Sequence, residues 1–147
     1  MIIRDAIKVL QSKGINPSIQ RIAIMDYLLS HRTHPTVEEV YAALSKKIPT
    51  LSKTTVYNTL RLFARCGVAQ MLTIDEKKLC FDGDTKPHAH FMCNVCGRVY
   101  DVKMPESIVD FQLSSCEFDV KETQVYYKGV CKKCKQEVVR ANEDKML

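Results

Sequence analysis

Along the first half of the chain, apolar residues recur at the three- and four-residue spacing of amphipathic helices; after residue 67 they shift toward alternation. Residues 5 to 13 carry Ile7, Val9 and Leu10 and stop at Gly14, a favourable C-terminal residue. Asn16-Pro17-Ser18 starts a second helix with Ser18 as N-cap, and Ile22, Met25, Leu28 and Leu29 share its inner face. His31 and Arg32 sit near its C-terminus, where cations are favoured. A third helix opens at Pro35. Thr36 and Glu39 fit a capping box, and Val37, Val40, Tyr41 and Leu44 form the inner stripe. Pro49 breaks the chain, and Ser52 caps a fourth helix that ends near Cys66 and Gly67.

The later pattern predicts strands over 68–74 and 78–81, joined by a polar turn at Asp75-Glu76-Lys77. Helices followed by such a hairpin make a winged helix-turn-helix. The polar run 82–87, with Gly83 and Pro87, reads as a linker. Beyond it, strands are expected over 89–92 and 99–102, a helix over 105–116, and β-forming residues through 118–130. The fold class is therefore α+β. A winged-helix domain occupies 1–82, a hinge 83–87, and a small α/β domain 88–147.

The 147 residues carry a net charge of +5 and a pI near 8.8, a mild bias toward polyanions that identifies no partner by itself. Charge interrupts the N-terminus at Arg4 and Asp5, so no signal peptide is expected. No apolar run approaches the roughly 20 residues of a membrane span, and a cytoplasmic protein is expected. In a reducing compartment, the 7 cysteines point to metal or redox chemistry rather than a disulfide framework.

Cys93-Asn94-Val95-Cys96 and Cys131-Lys132-Lys133-Cys134 are the strongest chemical signal. A two-residue spacer lets both thiolates of a pair bind one ion, and two pairs supply the tetrahedral sulfur set that Zn2+ prefers. Gly97 and Gly129 flank the pairs and are expected to ease tight turns. The stretch between pairs exceeds that of a compact zinc ribbon, so a helix and a strand must lie between them. Four ligands fill the tetrahedron, which makes this zinc structural rather than catalytic. The competing reading is two redox-active pairs. Cys66 and Cys116 read as core thiols.

The fourth helix has two faces. Val56, Leu60 and Phe63 point inward, whereas Thr54, Thr55, Asn58 and Arg61 lie opposite, with Tyr57 at the boundary. Hydroxyls, an amide and a guanidinium suit phosphates and base edges in a major groove. Such a face is also common on solvated helices; the preceding helix and following hairpin favour double-stranded DNA. His88 and His90, two apart beside a cysteine pair, hint at a second metal site on one strand face.

The run His34-Pro35-Thr36-Val37-Glu38-Glu39-Val40-Tyr41, then Thr55-Val56-Tyr57, His88-x-His90-x-x-Cys93-x-x-Cys96-Gly97 and Cys131-x-x-Cys134 resembles the Fur family of metalloregulators over nearly the whole chain. The resemblance implies a homodimer, an N-terminal winged helix, a C-terminal dimerisation domain and a regulatory metal at the hinge. It is nearest to the peroxide-sensing branch, whose regulatory ligands match His34, Asp82, His88, His90 and Asp101. Iron sensors more often carry glutamates at the two aspartates, and arginine where Asn58 stands. A further iron-sensor site falls on Ala89, Ile108 and Thr123, which bind metal poorly. Cys80 departs from the pattern, since a thiolate beside Asp82 would recruit Zn2+ as in zinc sensors.

Three imidazoles and two carboxylates suit Fe2+ or Mn2+. The resemblance implies that bound Fe2+ leads peroxide to oxidise His34 or His88, after which metal and operator are released. The expected function is metal-dependent repression, peroxide-responsive, with iron- or zinc-responsive repression as alternatives. No enzyme activity and no small organic substrate are expected. A mononuclear iron oxygenase would need a substrate pocket, and the sequence shows no second set of positioned polar groups.

Overall fold

Helix caps set the N-terminal frame. Ser18, Thr36 and Ser52 each accept a backbone N–H three residues on, and Thr36 with Glu39 closes both bonds of a capping box. They start α2 (Ile19–Ser30), α3 (Val37–Leu44) and α4 (Lys53–Arg65), which follow α1 (Ile2–Ser12). Thr36→Ala is expected to lower stability by about 1 kcal/mol, read as a lower denaturation midpoint with an unchanged slope. The computed structural model describes residues 2–104, 118–120 and 122–146.

Ala6, Leu10, Ile24, Met25, Leu28, Val40, Val56, Leu60 and Phe63 are fully buried, together with Phe81 from the wing. The expected inner faces of α3 and α4 thus form one core. In α2 the stripe is rotated: Ile24 is buried, whereas Ile22 and Leu29 are only partly covered. The wing pairs β1 (Gln70–Leu72) with β2 (Cys80–Asp82) antiparallel, Leu72 opposite Cys80. Both strands differ from expectation. The amides of Val68 and Ala69 bond back to the Phe63 carbonyl at 3.0 and 3.3 Å, so they complete the end of α4 instead of joining the sheet. Asp75 accepts the amides of Lys77 and Lys78, which holds the turn.

The chain divides into two compact units, Met1–Lys86 and Pro87–Leu147. In the second, β3 (Ala89–Cys93) pairs antiparallel with β4 (Val99–Val102) and parallel with β5 (Tyr126–Gly129), giving the order β4-β3-β5. The helix expected over 105–116, with Cys116, lies outside the described residues. Among the described residues of the expected β-forming run, only Tyr126–Gly129 forms a strand, and Phe118 and Val120 are exposed. A further helix, α5 (Lys132–Met146), was not expected: its sequence is strongly polar, so few apolar residues announce it. Among the described residues no helix is long and apolar enough to cross a membrane.

Candidate metal centres

Strand register brings the cysteine pairs together. Parallel pairing sets Cys93 beside Gly129, two residues before Cys131, so both pairs leave the same end of the sheet. The four Cys93, Cys96, Cys131 and Cys134 sulfurs lie within 4.8 Å of one another. Cys96 Sγ and Cys131 Sγ are 3.9 Å apart. A tetrahedral ion with bonds of about 2.3 Å to sulfur needs about 3.8 Å between sulfurs, so the residues fit Zn2+.

The surroundings favour thiolates. Cys93 Sγ accepts the amides of Cys131 and Cys96 at 3.3 and 3.5 Å, and these bonds lower its pKa to about 6. The Cys134 amide likewise lowers Cys131. Cys134 is pushed up to about 12, chiefly because its thiol hydrogen-bonds to Cys131. A bound divalent cation would displace the remaining thiol protons and hold the sulfurs as thiolates. Tyr100 packs against the cysteine cluster, a neighbour that sequence spacing gave no way to find. Gly97 turns at φ +74°, as expected at a knuckle. Gly129 does not turn. It lies in β5, where its carbonyl accepts the Asn94 amide at 2.7 Å.

The histidines and aspartates form a group in each unit. In the first, His34 Nε2 lies 3.5 Å from Asp82 Oδ2, both side chains almost wholly buried. His34 adopts φ +57°, costly for a side chain with a Cβ. It is held there because the chain directly after it is pinned to β2: the Phe81 amide donates to the Pro35 carbonyl at 2.9 Å, and Thr36 bridges to Cys80. In the second unit, His90 pairs with Asp101 across β3 and β4. His88 Nε2 and His90 Nε2 both approach Asp101 Oδ1, at 3.2 and 3.4 Å. Their rings lie 4.4 Å apart, on one side as the spacing predicts. Octahedral divalent ions with bonds of about 2.1 Å set adjacent donors about 3.0 Å apart, close to these spacings.

Cys80 is buried, and its thiol donates to the Lys78 carbonyl at 3.9 Å. Burial pushes it up to about 11, the setting of a packed thiol rather than a ready thiolate. On α4, Thr54, Tyr57, Asn58 and Arg61 are exposed and Thr55 is half-buried, opposite buried Val56, Leu60 and Phe63. Arg61 donates to the Tyr57 hydroxyl at 3.3 Å.

The sequence profile of the ferric uptake regulator family matches residues 12–128. The chain belongs to this family. Its fellow member, the peroxide-responsive repressor PerR of Staphylococcus epidermidis, is 39% identical over 137 residues, covering 92% of this chain and 91% of the relative. Among solved structures, PerR from Streptococcus pyogenes, described as a basis for peroxide sensing and gene regulation, matches at 25% identity and TM-score 0.51, covering 90% of this chain and 92% of that one. The ferric uptake regulator of Pseudomonas aeruginosa with manganese matches in fold at TM-score 0.70 and 23% identity, covering 86% and 98%. For a Fur-family chain, the helical first unit, the four-cysteine cluster and the histidine–aspartate groups have a common purpose: regulation of transcription by metal.

Proposed function

We propose that this chain is a metal-dependent, peroxide-responsive transcriptional repressor that binds operator DNA as a homodimer. Residues 1–82 form the DNA-binding domain, 83–87 the hinge, and 88–147 the dimerisation and metal-binding domain. Cys93, Cys96, Cys131 and Cys134 hold structural Zn2+. His34, Asp82, His88, His90 and Asp101 hold one regulatory Fe2+ or Mn2+.

The ligand set carries this reading. His34 with Asp82 offers two donors, and His88, His90 and Asp101 offer three. Neither group alone completes the coordination of an octahedral ion, whereas together they leave one position for peroxide. Such a joined site fixes the two units in one pose, and differential affinity for that pose shifts the population toward DNA binding. Thr54, Thr55, Tyr57, Asn58 and Arg61 then face the major groove, with paired recognition helices matching half-sites about 34–36 Å apart or a multiple of that spacing. Identity to the staphylococcal peroxide-responsive repressor favours this branch. The Cys80 thiol is buried and donates to the Lys78 carbonyl, a packing role that lends zinc sensing no support.

Fe2+ supplies the electron that activates peroxide, whereas Mn2+ does not. The imidazoles of His34 and His88 serve as ligands and as the groups that take up oxygen. Peroxide treatment of the Fe2+ protein is therefore expected to add one oxygen atom to His34 or His88 by mass spectrometry and to release DNA. The Mn2+ protein should keep both histidines intact and remain bound. Intact histidines and retained DNA binding in the Fe2+ protein would reject peroxide sensing in favour of iron-responsive repression.

A further inference from the structure

Segments 32–36 and 80–84 lie antiparallel and keep one register beyond their single backbone bridge. Thr36 bridges to Cys80. Two residues back on one segment and two forward on the other, His34 Nε2 faces Asp82 Oδ2 at 3.5 Å. The same step again brings Arg32 Nη1 to Asp84 Oδ2 at 3.4 Å. The pairs stand as successive rungs, with the ligand pair in the middle.

The outer rung is also tied to the carboxylate of Asp82. Asp82 Oδ1 accepts the Asp84 amide at 2.9 Å, and Asp84 Oδ1 accepts the Lys86 amide at 3.0 Å. One oxygen of Asp82 is thus engaged by the backbone that Asp84 anchors, and its other oxygen is the one presented to His34. Between the two aspartates, Gly83 packs against the end of α2. A Cβ there would meet the Leu28 carbonyl oxygen at 3.0 Å and carbon at 3.1 Å. The segment has little room to drift toward α2.

We infer that Asp84, clasped by Arg32, is a positioning residue for the regulatory metal: it orients the Asp82 carboxylate without touching the ion. This rests on the assignment of Asp82 as a regulatory ligand under the proposed function. Partners that orient a metal ligand typically contribute 10- to 100-fold in affinity. Because the Arg32 side chain is 64% exposed, its own share is that of a surface ion pair, about two- to fivefold, and salt weakens it.

The test is Mn2+ affinity of the full-length zinc-loaded protein by electron paramagnetic resonance, with Asp82→Asn as reference. Asp84→Ala is expected to weaken Mn2+ binding about tenfold or more, with zinc content and the metal-free melting temperature unchanged. Asp84→Asn, which keeps an acceptor for the Lys86 amide, should recover most of the affinity. Arg32→Gln should cost about two- to fivefold at low salt and almost nothing near 1 M, where the Debye length is about 3 Å. Failure of Asp82→Asn to reduce Mn2+ binding would overturn the ligand assignment, and this inference with it. If Asp82→Asn abolishes binding while Asp84→Ala and Arg32→Gln bind within twofold of the parent, the ligand assignment stands and the clasp is wrong. An Asp84→Ala defect matched by a lower metal-free melting temperature, with no salt-dependent Arg32 effect, would also overturn the clasp in favour of a folding role.

Discussion

Chelation of the zinc held by the four cysteines, or Cys131→Ser, is expected to unfold the second unit while leaving α1–α4 and the wing folded. The described sheet has three strands of four or five residues, no more than the minimum for independent stability. The hydrophobic cluster at its end consists of Cys93, Cys131 and Cys134 themselves, with Phe91 and Tyr100 packed against them. Removing the ion therefore removes the centre of that cluster. Structural zinc contributes apparent binding energies of about 10–16 kcal/mol, comparable to the whole stability of a small domain. The first unit has a separate core, from Ala6 to Phe81. Amide hydrogen exchange checks the outcome: protection should vanish across β3 to β5 and persist in α4. Protected strands in zinc-free protein would contradict it and return the cysteine pairs to the redox reading.

The second large effect is expected at Asp101. Its side chain is 44% exposed, so Asp101→Ala should leave fold and zinc content intact. Yet one of its oxygens is the point on which His88 and His90 converge. Loss of this ligand is expected to weaken Mn2+ binding more than 100-fold, beyond the usual range for a supporting partner and equivalent to about 2.7 kcal/mol. Metal-stimulated DNA binding should be lost with it, because the ion no longer distinguishes the DNA-competent pose. Calorimetric Mn2+ titration and a gel-shift assay read the two effects separately. Parent-like values in both would remove Asp101 from the site.

The sequence already carried the features that depend on neighbouring residues. Caps at Ser18, Thr36 and Ser52, the inward faces of α3 and α4, and the paired cysteines all follow from local spacing, and the structure has each of them. The short wing strands did not follow, because the amides of Val68 and Ala69 are taken by the end of α4 rather than by a strand. Nor did α5, whose residues are mostly polar or charged. Within the site, His88 and His90 were visible as a two-residue repeat, whereas Asp82 and Asp101 came only with the family resemblance.

Local sequence by itself determined α1–α4 and the spacing of the cysteine and histidine pairs, since spacing along a helix, strand or knuckle fixes which side chains share a face. Only the tertiary structure decided the left-handed turn at His34, the approach of Gly83 to Leu28 and the Arg32–Asp84 clasp. Those depend on segments some 50 residues apart meeting in one register, and no short-range pattern encodes that distance.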